Sequence, residues 1–378
     1  MADRAYVQYV EPHGGAAAGI LCARMSTTSD ASDPTIEVRP GMELDVPRLD
    51  AFMREQVRGY EGPPVIRQFR GGQSNPTYLL VTPGARYVLR RKPPGQLMAS
   101  AHAVDREHQV LSALGSHTQV PVARVYALCR DESVIGTWFY VMEHVQGRIF
   151  WDPALPQIPR AERPAYYDAM NAALATLHNV NPQQAGLADY GRPGGYLVRQ
   201  VERWSKTYAS DDAAGRVPAL ERLIEWLPRH MPAREEPAAV VHGDYRIDNL
   251  IFHPGQPRVL AILDWELSTL GDPLADFAYH LMAYRMPSLA VPGLAGRDPA
   301  ELNIPSEQEY VRAYCARTGR EGVHDFNFYL AFCMFRLAAI LHGIRGRVVR
   351  GTAVSAQAKV HAQNVEAIAE LAWELAHG

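Results

Sequence analysis

The chain has 378 residues, of which 47% are hydrophobic and 21% are charged, and its formal net charge is −3. This composition is typical of a globular protein with enough apolar material for two domains or lobes. The near-neutral charge argues against wholesale binding to nucleic acid or to an anionic membrane surface. No apolar run approaches the roughly 18 residues that span a bilayer.

Four cysteines are scattered through the sequence, and none has the CxxC or Cys/His spacing that binds structural zinc. They are Cys22, Cys129, Cys315 and Cys333. Scattered thiols in a long chain are typical of reduced, mostly buried residues, and we therefore expect a cytoplasmic protein.

The N-terminal third of the chain changes character at about residue 40. Residues 1–40 are rich in Gly, Ala, Ser, Thr and Asp without sustained periodicity, which predicts a disordered leader. Met25 is an alternative start, and whether residues 1–24 belong to the native protein stays open. Residues 41–147 predict a small mixed lobe. Its helices are expected at 45–57 and 103–114, and its strands at 65–69, 77–81, 87–90 and 138–145.

Helical periodicity dominates after Gly147, so residues 148–378 are predicted to form a larger and mainly helical lobe. Two short apolar runs, 239–241 and 259–263, interrupt it as strands. The predicted helices are 161–180, 196–208, 217–226, 306–317, 326–345 and 356–376. The sequence therefore predicts an α+β protein with the smaller lobe first.

The most informative segment follows the strand at 239–241 and reads His242-Gly243-Asp244, with Asn249 five residues beyond the aspartate. Twenty residues after Asp244, Asp264 closes the second apolar strand. Phosphoryl transfer needs one carboxylate to orient the attacking hydroxyl and oxygen ligands to hold Mg²⁺ against the phosphates. Together, Asp244, Asn249 and Asp264 predict such a site. A lone aspartate after a strand is more often an ordinary turn residue.

The pattern of His242-Gly243-Asp244, Asn249 and Asp264 resembles the signature of the aminoglycoside phosphotransferase and choline kinase-like family. Residues 264–276 and 69–75 are similar to one branch, in which a kinase-like domain occurs alone or fused to acyl-CoA dehydrogenase modules. The resemblance covers about residues 60–350. It implies a protein kinase-like two-lobe fold, with a β-rich nucleotide-binding N-lobe and a mainly helical C-lobe that carries the catalytic loop.

The resemblance also implies roles for individual residues. Asp244 is expected to be the catalytic base, with His242 as a supporting residue that fixes its loop. Asn249 and Asp264 are expected to bind Mg²⁺, and the cofactor is expected to be ATP, with GTP as an alternative. The acceptor is expected to be a small-molecule hydroxyl.

The nucleotide side of the site is predicted from the N-lobe. Ser74 and Asn75, in a glycine-bearing turn, are expected to offer donors to the phosphates, although a plain hairpin turn has the same composition. Arg90 falls where the family commonly places a phosphate-gripping lysine, and Lys92 on the same strand face is the alternative. Glu107 on the following helix is the expected partner of that cation, unless it is one of many solvated helix carboxylates.

The segment 141–147 ends the small lobe and is expected to be the hinge between the lobes. Backbone groups of Glu143 and Val145 are predicted to pair with the adenine ring. Asp272 and Asp276 flank a proline at a helix start, and we interpret them as cap and loop-fixing residues rather than as catalytic groups.

The acceptor is the least defined part of the prediction. Four arginines and a histidine between 336 and 350 suit an anionic acceptor, but they also suit a solvated basic helix face. These residues are Arg336, His342, Arg345, Arg347 and Arg350. By analogy with the fused branch, a hydroxyacyl-CoA or hydroxy acid is expected. An aminoglycoside or amino-alcohol kinase, a non-catalytic nucleotide-binding module and a protein kinase are the alternatives, and a monomer and a homodimer are both compatible with the sequence.

Overall fold

The computed structural model describes residues 8–9, 34–70, 75–93, 103–288, 292–353 and 356–377. The strands in these ranges are β1 (Gln8–Tyr9), β2 (Thr35–Ile36), β3 (Val65–Phe69), β4 (Thr77–Val81), β5 (Arg86–Arg91), β6 (Val125–Cys129), β7 (Phe139–Glu143), β8 (Arg148–Ile149), β9 (Ala239–Val241), β10 (Leu250–Phe252), β11 (Val259–Ile262) and β12 (Thr269–Gly271).

The helices in the same ranges are α1 (Val46–Gln56), α2 (Val104–His117), α3 (Glu132–Ile135), α4 (Arg163–His178), α5 (Tyr196–Ala209), α6 (Pro218–Trp226), α7 (Pro273–Arg285), α8 (Pro299–Leu302), α9 (Glu307–Thr318), α10 (Phe326–Val349), α11 (Ala356–Gln363) and α12 (Val365–His377). Helices α1 to α3 belong to the small lobe, and α4 to α12 belong to the large one.

The small lobe is a six-stranded antiparallel sheet in the order β2-β3-β4-β5-β7-β6. Helix α1 covers one face and buries Leu49 and Met53. The α1 helix starts where Asp45 accepts a hydrogen bond from Arg48 N. Strand β2 pairs with β3, so the end of the segment predicted as a leader at 1–40 belongs to this sheet.

Successive side chains of strand β5 point to opposite faces of the sheet. Leu89 lies in the core under α1, whereas Arg90 lies on the other face, opposite Tyr140 of β7. Helix α2 covers this second face and buries Glu107 against it. The alternation of side chains along β5 therefore directs Arg90 towards the boundary between the lobes.

The large lobe is built around α10, which packs against α5, α7 and α12. This helix has the length and apolarity of a membrane span, with a mean hydropathy of 1.4 in its most apolar window. However, 78% of that window is buried inside the protein. The apolar character of α10 is therefore explained by its place in the protein core.

The predicted helix 356–376 is in fact two helices, α11 and α12, which meet at Asn364. The Asn364 side chain donates a hydrogen bond to Val360 O, and a hydrogen-bonding side chain of this kind competes with a continuous helix. The short strands β8, β10 and β12 were not predicted, since two or three residues carry no readable alternation.

The central position of α10 gives a stability prediction. Replacing fully buried Leu330 in Leu330→Ala is expected to cost about 2–5 kcal/mol in unfolding free energy, because it removes apolar contacts and leaves a cavity. The control is Val349→Ala in the same helix, where the side chain is exposed and the expected change is within about 0.5 kcal/mol. Urea denaturation measures both, and equal midpoints would contradict the core assignment of this helix.

Candidate active site

Three of the predicted site residues lie at one edge of two short strand pairs. Strand β9 leads into Asp244 and pairs with β12, while β10 and β11 form a hairpin with Leu250 opposite Ile262. Asn249 precedes that hairpin and Asp264 follows it. Leu263 N donates a 2.8 Å hydrogen bond to Asn249 O, so the hairpin register sets Asn249 beside the strand end that carries Asp264.

The Asp244 carboxylate is held from within its own loop. Asn249 Nδ2 donates to Asp244 Oδ2 at 3.1 Å and to the Asp244 carbonyl at 2.9 Å. Arg246 Nε lies 3.7 Å from Asp244 Oδ1. The Asp244 charge also acts on Tyr279, whose pKa is raised by burial and by this nearby carboxylate. The Asp244 side chain is 22% exposed, so it is oriented and still open to a substrate.

His242 connects the catalytic loop to the strand end that carries Asp264. Its ring is fully buried, with Nε2 donating to Leu263 O at 2.7 Å and Nδ1 accepting from Asp244 N at 3.1 Å. Because Leu263 O can only accept and Asp244 N can only donate, the ring is neutral with its proton on Nε2. This geometry gives His242 a positioning role.

Asp276 holds the same loop from below. Its carboxylate accepts hydrogen bonds from His242 N at 2.6 Å and Gly243 N at 2.8 Å, and from His178 Nε2 at 3.2 Å. Burial alone raises the pKa of Asp276, but the hydrogen bond from His178 and the nearby histidines lower the pKa overall. The carboxylate is therefore a fixed anchor for two backbone amides.

Asp272 caps the start of helix α7, as the sequence indicated. It accepts a 2.8 Å hydrogen bond from Leu274 N at the start of α7 and a 2.9 Å bond from Tyr329. Burial raises the pKa of Asp272 to about 6.

Arg336, which sequence reasoning placed in an acceptor cluster, instead supports the catalytic loop. Its Nη2 donates to Gly243 O at 2.6 Å, and its guanidinium lies 4.9 Å from the centre of the Tyr279 ring. Gly243 has φ +84, and a side chain there would meet Leu267 O at 2.8 Å, so the loop requires glycine.

The other members of the predicted arginine cluster are dispersed. Arg345 pairs with Glu366, Arg350 pairs with Asp211, and buried His342 bonds to Gly215 O. These contacts fix α10 to neighbouring elements, and Arg347 is exposed at the end of the helix. Of the two alternatives that the sequence left open for this run, the dispersed contacts do not support a shared anion-binding cluster.

Arg90 meets carboxylates from both lobes. Its Nε lies 2.8 Å from Glu107 Oε2, and its Nη2 lies 2.7 Å from Asp264 Oδ1 and 3.5 Å from Glu266 Oε2. Burial alone lowers the pKa of Arg90, but these carboxylates raise it overall and keep the guanidinium charged. The expected partnership with Glu107 is present, and Asp264 is a second partner that the sequence did not suggest.

The ammonium group of Lys92 points elsewhere and lies 4.1 Å from the centre of the Trp138 ring. Of the two cations that the sequence left open, Arg90 therefore lies at the edge that carries Asp264, and Lys92 lies against Trp138.

Asn75 lies beside the partner of Arg90. Its side chain is fully buried and donates a 2.7 Å hydrogen bond to Glu107 Oε1, while the Tyr140 hydroxyl donates to Glu107 Oε2 at 2.9 Å. Asn75 thus orients the partner of Arg90, a role that the sequence did not suggest. Ser74 lies outside the described residues.

The hinge presents backbone and apolar surface to the cleft. Glu143 N donates to Arg124 O at 2.8 Å, so this amide serves the sheet. Val145 is partly buried and packs against a small cluster formed by Ile149, Ile251 and Ala261. Strands β8, β10 and β11 supply that cluster, which makes an apolar floor beside the hinge.

The donor set suits Mg²⁺ that is shared with a nucleotide. Among the described residues no group of three His, Cys, Asp or Glu side chains could hold a metal alone. Asn249 and Asp264 would provide an amide oxygen and a carboxylate, both hard ligands, and phosphate oxygens would provide others. Asp264 has φ +63 and its side chain is 36% exposed, which projects the carboxylate towards the cleft.

The sequence profile of the phosphotransferase enzyme family, APH, matches residues 65–322. The chain belongs to this family. Acyl-CoA dehydrogenase family member 10 of Mus musculus is 45% identical over 345 residues, which cover 90% of this chain and 32% of that protein. Family member 11 of Homo sapiens is 40% identical over 344 residues, which cover 90% of this chain and 44% of that protein. The chain thus spans less than half the length of these relatives.

Two solved structures show the same fold. A Ralstonia eutropha protein provisionally assigned as an aminoglycoside phosphotransferase has 50% identity and a TM-score of 0.81, over 89% of this chain and 99% of that one. Choline kinase of Cryptosporidium parvum has 12% identity and a TM-score of 0.56, over 87% and 96% of the two chains. The predicted kinase-like fold and the family resemblance are confirmed.

Burial next to the loop that carries Asp244 leads to a pH prediction. Burial lowers the pKa of His280, which packs against Tyr245, to about 4. In the unfolded chain this histidine titrates near 6.5. Between these values only the unfolded chain takes up the proton, so this group lowers the unfolding free energy by up to about 1.4 kcal/mol per pH unit as pH falls.

Denaturant titrations at pH 7, 6 and 5 measure that slope. His280→Gln is expected to reduce this pH dependence of the unfolding free energy by the contribution of about one proton. The exposed control His324→Gln is expected to keep the pH dependence of the parent protein. Identical slopes in all three proteins would show that His280 is not held neutral by the fold.

Proposed function

We propose that this phosphotransferase moves the γ-phosphoryl group of magnesium ATP onto the hydroxyl of a small molecule, with Asp244 as the base. The observation that carries the proposal is the shared edge at which Asp244, Asn249 and the strand end of Asp264 meet. Arg90 reaches the same edge from the opposite lobe. Such an arrangement suits phosphoryl transfer, in which the protein mainly positions groups and offsets charge.

The proposed step balances as a direct transfer. The acceptor oxygen forms a bond to the γ-phosphorus while the bond from that phosphorus to the β–γ bridging oxygen breaks, and ADP leaves. The hydroxyl proton passes to Asp244, whose carboxylate is aimed by Asn249. Bound Mg²⁺ would supply positive charge to the phosphate oxygens at Asn249 and Asp264. Arg90, fixed by Glu107, would contact the donor phosphates.

An adenine nucleotide is proposed because the apolar floor around Val145 lies beside the hinge segment. An aminoglycoside phosphotransferase with a TM-score of 0.55 to this chain has been solved in a ternary complex with ADP and hygromycin B. For the acceptor, we propose a hydroxyacyl-CoA or a hydroxy acid. The support is that two relatives, each aligned over 90% of this chain, are acyl-CoA dehydrogenase family members.

The role of Asp244 is tested by Asp244→Asn. Loss of the base is expected to lower kcat by about 10²–10⁴-fold while ADP affinity changes little, because Asp244 faces the acceptor. The readout is ADP release in a screen of hydroxylated acyl-CoAs, hydroxy acids, amino alcohols and aminoglycosides. Asp168→Asn is the matched control, because it changes an exposed carboxylate that pairs with Arg317, and it is expected to keep the parent rate. Full turnover by Asp244→Asn would remove this residue from the chemistry.

The role of Asp264 is tested by Asp264→Asn. Since an amide is a weaker ligand than a carboxylate, the Mg²⁺ concentration for half-maximal ADP release is expected to rise at least about tenfold. Thermal stabilisation by ADP should then require more Mg²⁺ as well. Asp212→Asn, which changes an exposed surface carboxylate, serves as the control. An unchanged metal requirement in Asp264→Asn would exclude the proposed ligand.

A further inference from the structure

A cavity of about 380 Å³ lies next to the catalytic edge, between helix α2, the loop 189–195 and strand β12. Its walls carry three arginines, Arg106, Arg192 and Arg199, and one carboxylate, Asp189. The lining therefore has a formal charge of +3 − 1 = +2. None of the proposed catalytic, metal or nucleotide residues lines it.

Arg106 and Arg192 are exposed, and Arg199 is partly buried. Other arginines, such as Arg345 and Arg350, each have a carboxylate at ion-pair distance. In the part of the chain that the structure describes, no ion pair joins Arg106, Arg192 or Arg199 to an acidic side chain. Three positive charges that outnumber the one acidic side chain of the lining create a local positive potential that favours an anion.

Backbone contacts hold two of these side chains towards the cavity. Arg106 Nη2 donates to Tyr190 O at 2.6 Å, and its guanidinium lies 4.4 Å from the centre of the Tyr190 ring. Arg199 Nη2 donates to Arg192 O at 2.8 Å, and Nη1 donates to Gly194 O. A guanidinium has five N–H donors, so each side chain keeps further donors for a ligand.

The loop that forms one wall is pressed against β12. A Cβ atom on Gly191 would lie 2.4 Å from Thr269 Oγ1 and 2.6 Å from Leu270 N, so only glycine permits this approach. The first turn of α5 also faces the cavity with Tyr196 and Arg199, and its N-cap is Gly195, which has no side chain to satisfy the helix amides. The cavity is therefore a formed feature with donors on several sides.

We propose that this cavity binds an anionic oxygen group, a phosphate or a carboxylate, through Arg106, Arg192 and Arg199. The ligand would join the two lobes, because Arg106 belongs to α2 whereas Arg192 and Arg199 belong to the large lobe. Arg106 directly precedes Glu107, the partner of Arg90. On the other wall, Thr269 is paired with Val241, which directly precedes His242. An anion held there stabilises the position of α2 in which Glu107 meets Arg90.

The first test titrates inorganic phosphate and pyrophosphate into the protein with saturating Mg-ADP and follows binding by calorimetry and thermal shift. The double variant Arg192→Gln/Arg199→Gln is expected to bind at least about tenfold more weakly than the parent protein, a difference of about 1.4 kcal/mol. Arg229→Gln, an exposed arginine outside the cavity, is the control and should bind like the parent.

Arg192→Gln alone provides a second variant, because the side chain is exposed and its replacement leaves the core untouched. Saturable binding that weakens in both cavity variants supports the site. No saturable binding in the parent, or equal affinity in parent and double variant, overturns it. If Mg-ADP itself fails to bind, the proposed phosphotransferase activity is in doubt, but the phosphate affinities of the variants still decide the cavity.

A kinetic arm separates two sources of the anion. If the anionic group belongs to the acceptor, the cavity variants raise KM for a carboxylate- or phosphate-bearing hydroxyl acceptor and leave KM for a neutral one unchanged. If the anion is a separate effector, added phosphate changes kcat with a neutral acceptor in the parent and has no effect in the double variant. Both outcomes support the site, and kinetics that are identical in parent and variants, with and without phosphate, contradict it.

Discussion

The site depends on one guanidinium group, that of Arg90, which lies between the two lobes. Arg90 presents Nε to Glu107 and Nη2 to Asp264, in two different directions. A lysine offers a single point charge and could not meet both carboxylates with this geometry. Removing one partner from a buried ion pair typically costs about 3–5 kcal/mol, because the remaining charge is left uncompensated. The arginine in this position therefore meets one carboxylate from each lobe at the same time.

The two halves of the site are held by different means. In the large lobe, Asp276 accepts from two backbone amides of the catalytic loop and Arg336 donates to a carbonyl of the same loop. His242 then joins that loop to the strand end of Asp264. These contacts are buried and lie within one lobe, which favours a rigid base and metal edge. The phosphate side depends on Arg90 and α2, so it is positioned by contacts that cross between the lobes.

The sequence was sufficient where a residue's role follows from its local pattern. Periodicity predicted β3 and β4 at their observed bounds, and motif spacing brought together Asp244, Asn249 and Asp264. It was insufficient where the partner is distant along the chain. Arg336 lies 93 residues from Gly243, and nothing in its helix distinguishes it from Arg345 and Arg350, which pair with surface carboxylates.

Burial was the other property that local patterns could not supply. Asn75 lies in a turn-like segment whose composition suits phosphate binding, yet its amide is enclosed with Glu107. An asparagine near glycines gives the same sequence pattern whether it contacts a phosphate or is buried. Only the packing of α2 on the sheet determines which contact it makes.

Helix α2 links the proposed catalytic site and the proposed anion site through two consecutive residues. Successive residues on a helix are turned by about 100°, so Arg106 and Glu107 point to different surroundings. Glu107 enters the small-lobe interior towards Arg90, and Arg106 crosses to the large lobe at Tyr190. A shift of this helix would change both contacts at once. The position of α2 is thus constrained from the large lobe by the contact of Arg106 with Tyr190 and from the small lobe by the ion pair of Glu107 with Arg90.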